Sequence, residues 1–325
     1  QFYEDVSFPN TLHLKMVRST KHHALIKKLD VAPAMKVPGV VCVLTWKDVP
    51  NNWYTILKLI GVGPDDEPVL AEDRVRFMGE QICAVLAETP QAAAEGAKRV
   101  KVVYEELPPV FDVEEAMTSK PFTNHGTNYY VYEGHNCRRI RFGDVEAAFK
   151  QADHILECRY NSAPIEHAPT ETTGCVVKPE GNGRYTIYSN TQALYFTLDN
   201  TALILGVQFN KLRMIGGTVG GGFGGKVDVI VEPIATLGAM LSNRPVKYAY
   251  SRAEEMQVSS PRAAERFYIK DGNMKDGRIL ARKITLYVDA GAYCRHSTYG
   301  TTKAAAHMPG PYTIPNVHVD AYCVY

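Results

Sequence analysis

The stretch GGTVGGGFGGKVD, residues 216–228, places seven glycines in thirteen positions, and no other feature restricts the fold of this chain so strongly. Glycine gives up more conformational freedom on folding than any other residue and brings no side chain to a core, so a run this dense implies bare backbone brought close to something. The flanks narrow the choice. KLRMIGGTV before the run reads as a short buried strand, and VDVIVEPIATLGAMLSNRP after it as a largely apolar helix. Strand, glycine loop and helix together outline an anion cradle, in which backbone N–H groups and a helix N-terminus face the ligand.

Two phosphate motifs fit the run. Gly220 to Lys226 satisfies G-x-x-x-x-G-K, but Val227 stands where a Ser or Thr hydroxyl would hold magnesium. Gly220, Gly222 and Gly225 satisfy G-x-G-x-x-G, a weak signal because glycine-saturated sequence fits almost any glycine pattern. A phosphate-binding ATPase domain and a tight crossover without ligand both stay open at this point.

The chain has 325 residues, 45% hydrophobic and 22% charged, enough for two or three domains with cores of their own. Thirty-six basic against 35 acidic residues leave +1, no field for steering nucleic acid or an anionic membrane. No apolar run reaches the roughly 20 residues of a bilayer span, and QFYEDVSFPN has neither the basic start nor the apolar stretch of a signal peptide. A soluble, cytoplasmic protein is expected. The seven cysteines lie far apart with no C-x-x-C pair, which argues against an iron–sulfur cluster or structural zinc held by this chain alone. A first residue other than Met, and a final HVDAYCVY that alternates like an unfinished strand, suggest a chain cut at both ends.

The pattern along the chain predicts an α+β protein in two parts. Residues 1–118 hold strands in LHLKMVRS, ALIKKLDV, GVVCVLT, QICAVLAET and VKVVYEEL, with a helix capped by Thr89 and opened by Pro90. Residues 119–142 lack periodicity and read as a linker. From 143 to 325 a second domain begins, with Asp144 capping VEAAFKQA, a strand in HILECRYNSA, a hairpin turned at Gly181-Asn182-Gly183, and a helix capped by Thr191 and closed by Gly206.

These segments together resemble the molybdenum-cofactor subunit of the xanthine dehydrogenase and aldehyde oxidase family, the molybdenum hydroxylases. The first part, including RSTKHHALIKKLDVAPAMKVPGVVCVLTWKDVP and PVLAEDRVRFMGEQICAVLAETPQAAAEGAKRVKVVYEELP, is similar to that family's α/β-hammerhead domain. The second carries FGDVEAAFKQADHILE, EHAPTE, SNTQ, VGGGFGGK, RPVKYAYSRAEEM, KDGRILA, DAGAY and GPYTIPNV in order, and is similar to its first molybdopterin-binding domain, with mixed sheets and packed helices. In organisation the chain looks like the large molybdopterin subunit of split enzymes such as nicotinate dehydrogenase.

The resemblance implies a molybdopterin cofactor, in mononucleotide or dinucleotide form, beside Gly221, Gly222, Phe223, Gly224 and Gly225, with Phe223 and Gly224 lining the metal centre. Gln192 matches the glutamine that hydrogen-bonds an oxygen ligand on molybdenum, so Gln192 and Phe223 are the residues expected at the metal, and a neutral amide can donate there without adding charge. Val227 matches a position where purine oxidisers carry a glutamate; valine can neither accept a hydrogen bond nor take a proton, which disfavours xanthine. Lys303 matches an arginine that holds substrate in those enzymes, and as a point charge it suits a carboxylate better than a flat ring edge. Glu166, His167 and Glu171 read as scaffold rather than metal ligands. Gln192 and Lys303 are thus the catalytic candidates, and Val227 and Lys303 the substrate candidates.

The implied activity is hydroxylation of an N-heterocyclic, aromatic or aldehyde substrate with water as the oxygen source, electrons leaving through Fe–S clusters to FAD. The family's catalytic base lies in a second molybdopterin-binding domain that this sequence does not carry, so a second molybdopterin-domain subunit, a [2Fe-2S] subunit and an FAD subunit are the expected partners, alongside a small-molecule substrate. A non-catalytic scaffold that keeps the fold is the remaining alternative.

Overall fold

Leu12, Leu14 and Met16 are buried on one side of the strand Leu12–Arg18, the alternation that a half-buried strand requires. In the computed structural model, which describes residues 1–123 and 126–325, this strand lies inside a seven-stranded mixed sheet. The sheet runs Leu212–Gly216, Arg184–Ser189, Gly174–Gly181, Val246–Ala249, Leu12–Arg18, Gln81–Ala87, Val40–Leu44. Leu12–Arg18 pairs antiparallel with Gln81–Ala87 on one side and parallel with Val246–Ala249 on the other, so strands from the start of the chain and strands around the glycine run share one ladder.

The chain forms two compact units, each assembled from separated segments. The first comprises Gln1–Ile56, Glu67–Pro109 and Glu166–Pro261, and the second Leu57–Asp66, Val110–Ile165 and Arg262–Tyr325. In the first, the helix Glu232–Ser242 packs on the seven-stranded sheet, and Gly238 lets it approach: a Cβ there would meet Leu86 Cδ2 at 2.6 Å. The helix Pro90–Arg99 starts as expected, Thr89 accepting from the Ala92 N–H. The hairpin between Gly174–Gly181 and Arg184–Ser189 turns through Asn182 and Gly183 at φ +51° and +66°, the sign that a type I′ turn needs. A three-stranded sheet, Arg74–Val75, Ala24–Asp30 and Lys101–Glu106, with a small core of Ala24, Ala71, Val75 and Ile82, and a two-stranded one, Trp53–Tyr54 and Glu67–Pro68, also belong to this unit.

The second unit is a five-stranded sheet ordered His154–Ser162, Glu265–Asn273, Ile279–Asp289, Asn316–Val324, Arg138–Phe142. Ile284, Leu286, Val317, Val319 and Ala321 form its core against Ala305 of the helix Ser297–His307. Asp144 caps Val145–Phe149 by accepting from the Ala147 N–H, as the sequence suggests. The mixed sheets with packed helices are those of the expected α+β class.

Two expectations are corrected. Within the stretch read as linker, Arg138–Phe142 is an edge strand of the five-stranded sheet; its charges suppressed the apolar signal, while Asn124 and His125 of that stretch lie outside the described residues. The helix expected to follow Thr191 starts two residues later, as Leu194–Leu205 with Ala193 at its N-cap; the Thr191 hydroxyl instead accepts from the Ala193 N–H and pairs with Thr197 Oγ1. Its C-terminus closes at Gly206, φ +65°, as expected.

Candidate functional site

The strand Leu212–Gly216 leads into the glycine run and the helix Glu232–Ser242 leaves it, but the helix N-terminus is not open to an anion. Glu232 is buried there: its Oε1 accepts from Ser189 Oγ at 2.6 Å and its Oε2 from the Val231 N–H at 3.2 Å. Burial raises its carboxyl pKa. Lys226, which a phosphate loop would turn outward, is also buried; its Nζ donates to the Glu171 carbonyl at 2.7 Å and lies 3.4 Å from Glu171 Oε2. The nucleoside-triphosphate reading of the run is therefore corrected, because protein groups occupy the helix N-terminus and the lysine that it needs.

Several of the glycines answer to side chains packed behind the loop. A Cβ on Gly220 would lie 2.5 Å from Glu171 Cβ, one on Gly222 2.5 Å from Gln192 Cδ, and one on Gly225 2.9 Å from His167 Nδ1. Gly224 differs: φ is +95° and nothing lies within 4 Å of its Cβ position, so conformation rather than crowding calls for glycine. Phe223, between them, adopts φ +51° and is 72% exposed as a residue. A left-handed non-glycine residue costs about 1–2 kcal/mol, and exposing its ring forgoes the burial that would offset it.

Gln192 sits across the loop. Its Oε1 accepts from the Gly224 N–H at 3.0 Å and the Lys226 N–H at 3.2 Å, while its own backbone N–H donates to the Lys226 carbonyl at 2.9 Å. Only a carbonyl can accept from two amides, so the side chain's orientation is fixed and its NH₂ is left to donate elsewhere. The residue is exposed. Gly221, Gly222 and Phe223 donate their N–H groups to no acceptor among the described residues.

Behind the loop lies the segment 166–171. Glu166 accepts from the Ala168 N–H and from Ser259 Oγ, and Arg252 Nη2 holds the Pro169 and Thr170 carbonyls at 2.6 and 2.8 Å. Glu171 holds both backbone groups of Gly220: its N–H donates to the Gly220 carbonyl at 3.0 Å and its Oε2 accepts from the Gly220 N–H at 2.8 Å. His167 Nδ1 and Glu171 Oε1 are buried without a partner. Among the described residues, no group of three His, Cys, Asp or Glu side chains is placed to hold a metal ion.

Gln192, Glu171, His167, Lys226 and Gly220–Gly225 thus gather in the first unit, with Val227 half-buried beside them, its N–H donating to the Gly224 carbonyl at 3.4 Å. Lys303 belongs to the second unit, on Ser297–His307, exposed, with its Nζ 4.5 Å from the centre of the Tyr299 ring. The sequence reading missed the part played by Lys226. A lysine entering the apolar run VDVIV was the available signal.

This donor set fits a metal carried by an organic cofactor. It leaves the N–H groups of Gly221, Gly222 and Phe223 available to a cofactor's acceptors, keeps its carboxylates behind the loop, and has open space beside Gly224.

Residues 129–325 match the family profile described as molybdopterin cofactor-binding domain, and residues 1–108 that described as aldehyde oxidase and xanthine dehydrogenase, a/b hammerhead domain. The nicotinate dehydrogenase large molybdopterin subunit of Eubacterium barkeri is 36% identical over 100% of this chain and 74% of its own length. The xanthine dehydrogenase/oxidase of Gallus gallus is 34% identical over 97% of this chain and 22% of its own. Among solved structures, the aldehyde oxidoreductase from Desulfovibrio gigas matches with a TM-score of 0.93 at 28% identity, over 100% of this chain and 36% of that one. The chain spans only part of each of these proteins.

Proposed function

We propose, for a chain that belongs to the aldehyde oxidase and xanthine dehydrogenase family of molybdenum oxidoreductases, that it is the molybdopterin-binding component of a hydroxylase using water as oxygen source. The observation that carries this reading is the Gln192 carboxamide, whose oxygen is committed to the Gly224 and Lys226 N–H groups and whose NH₂ is free to donate from an exposed position. The cofactor, when bound, supplies the oxygen-transfer and redox chemistry. The chain's own part is positioning: Gln192 donates to an acceptor on the cofactor, Gly224 leaves room for it, and Phe223 packs its exposed ring beside it.

Two residues, each taken by itself, bear on the substrate class. Val227 offers no hydrogen bond to a purine, and Lys303 presents an exposed point charge suited to a carboxylate. Each residue taken by itself is compatible with an electron-poor N-heterocyclic acid, and nicotinate, named for the Eubacterium barkeri relative, is of this kind; aldehydes and other aromatic substrates are the wider class. The catalytic base comes from a second molybdopterin-domain subunit or domain, and [2Fe-2S] and FAD partners take the electrons. No helix among the described residues is long and apolar enough to cross a membrane, and we place the complex in the cytoplasm.

The test is to purify the chain with the subunits that accompany it, quantify molybdenum and pterin, and assay nicotinate, xanthine and aldehydes. The reading expects about one molybdenum and one pterin per chain and turnover of a heterocyclic acid or aldehyde over xanthine. A complex carrying iron and flavin but neither molybdenum nor pterin would refute it. Full loading without turnover of any substrate would mark a non-catalytic scaffold.

A further inference from the structure

We propose that the buried Lys226–Glu171 pair is the positioning device of the glycine loop, setting the Gln192 carboxamide through the Lys226 backbone. The inference rests on the reading of Gln192 given above and extends it to two residues whose side chains are buried.

The side chains of Lys226 and Glu171 are 1% and 7% exposed. Burial lowers the Lys226 ammonium pKa, and the Glu171 carboxylate opposes that shift. A buried ion pair is a poor way to gain stability, since well-packed apolar residues of the same volume often serve as well or better. What an apolar pair could not supply is a polar tie between the two ends of the loop. Glu171 holds the N–H and carbonyl of Gly220 at one end. At the other, the backbone of Lys226 donates to Gln192 Oε1 and accepts from the Gln192 N–H and from Thr191 Oγ1. The contact from Nζ to Glu171 joins the two ends. Gly222 leaves the space that Gln192 Cδ fills, so the carboxamide rests on the loop that the pair closes. A misplacement of about 1 Å in a positioning group costs on the order of 10²-fold in rate.

Lys226→Met keeps an unbranched side chain one atom shorter and removes the charge, and Glu171→Gln keeps an acceptor for Gly220. Both are made in the assembled complex with its partner subunits. Three quantities are read: kcat per bound molybdenum, KM, and hydrogen exchange of the peptide spanning 220–227. For Lys226→Met we expect kcat per molybdenum to fall at least about 10-fold with KM within about 2-fold, and the Gly224 and Lys226 amides to exchange faster. Glu171→Gln shifts the same quantities less, and it decides the matter if Lys226→Met does not fold.

A pair that merely holds the fold would lower the yield of loaded enzyme while leaving kcat per molybdenum and loop exchange at wild-type values, and that result overturns the proposal. Exchange needs no turnover. A wild-type complex without molybdenum would sink the proposed function, and exchange would still decide whether the pair fixes the loop.

Discussion

Gln192 and Lys226 exchange two hydrogen bonds, from the Gln192 backbone N–H to the Lys226 carbonyl at 2.9 Å and from the Lys226 N–H back to Gln192 Oε1 at 3.2 Å. This reciprocity holds the side chain while leaving its NH₂ unused, which separates what the residue does for the fold from what it offers a ligand.

Gln192→Glu uses that separation. A carboxylate still accepts from the Gly224 and Lys226 amides, so melting temperature should move by no more than a few degrees, while the lost donor and added negative charge should lower kcat/KM by about 10²–10³-fold. Thermal unfolding and steady-state kinetics on one preparation check both halves. A large loss of stability would mean that the NH₂ serves the fold.

Two alanine substitutions should fail for different reasons. Gly222→Ala places a methyl 2.5 Å from Gln192 Cδ and should displace that side chain, at about 1–3 kcal/mol and with loss of cofactor retention. Gly224→Ala meets nothing, but at φ +95° it should cost about 1–2 kcal/mol in backbone strain alone. Denaturant midpoints and molybdenum content together tell the two mechanisms apart.

Glu232 predicts a pH dependence. Burial raises its folded-state pKa above the ordinary 4.5, so the folded protein binds this proton more tightly than the unfolded chain. Its contribution is therefore most favourable below pH 4.5 and is lost as the pH rises through the folded value. Glu232→Gln removes this slope and keeps an acceptor for the Val231 N–H, so the variant should gain stability relative to wild type as pH rises from about 4.5 to 8. Parallel unfolding curves across that range measure the difference, and a constant gap would contradict it.

Much of the fold was legible because its signals are local. Leu12, Leu14 and Met16 mark a strand by alternation, Thr89 and Asp144 are caps with acceptor oxygens in place, and Asn182-Gly183 supplies the positive φ of a hairpin. Pairing across long separations left no such trace: nothing in Leu12–Arg18 indicates that Val246–Ala249 lies beside it, and the arginines of Arg138–Phe142 hid an edge strand. At the site, the glycine run and SNTQ drew attention to residues that the fold brings together, Gln192 hydrogen-bonding the loop at Gly224 and Lys226. The reason for individual glycines was not legible, since Gly220, Gly222 and Gly225 are set by Glu171, Gln192 and His167, which are remote in sequence and meet them only in space. Lys226 read as a motif letter because its side-chain partner is remote as well.

The ladder between Leu12–Arg18 and Val246–Ala249, with Leu12 opposite Val246 and His13 opposite Lys247, has a practical corollary for chimeras. Grafting the front segment from one relative onto the rear of another exchanges half of a continuous backbone seam. Such hybrids should tolerate junctions best when the residues facing each other across that seam travel together.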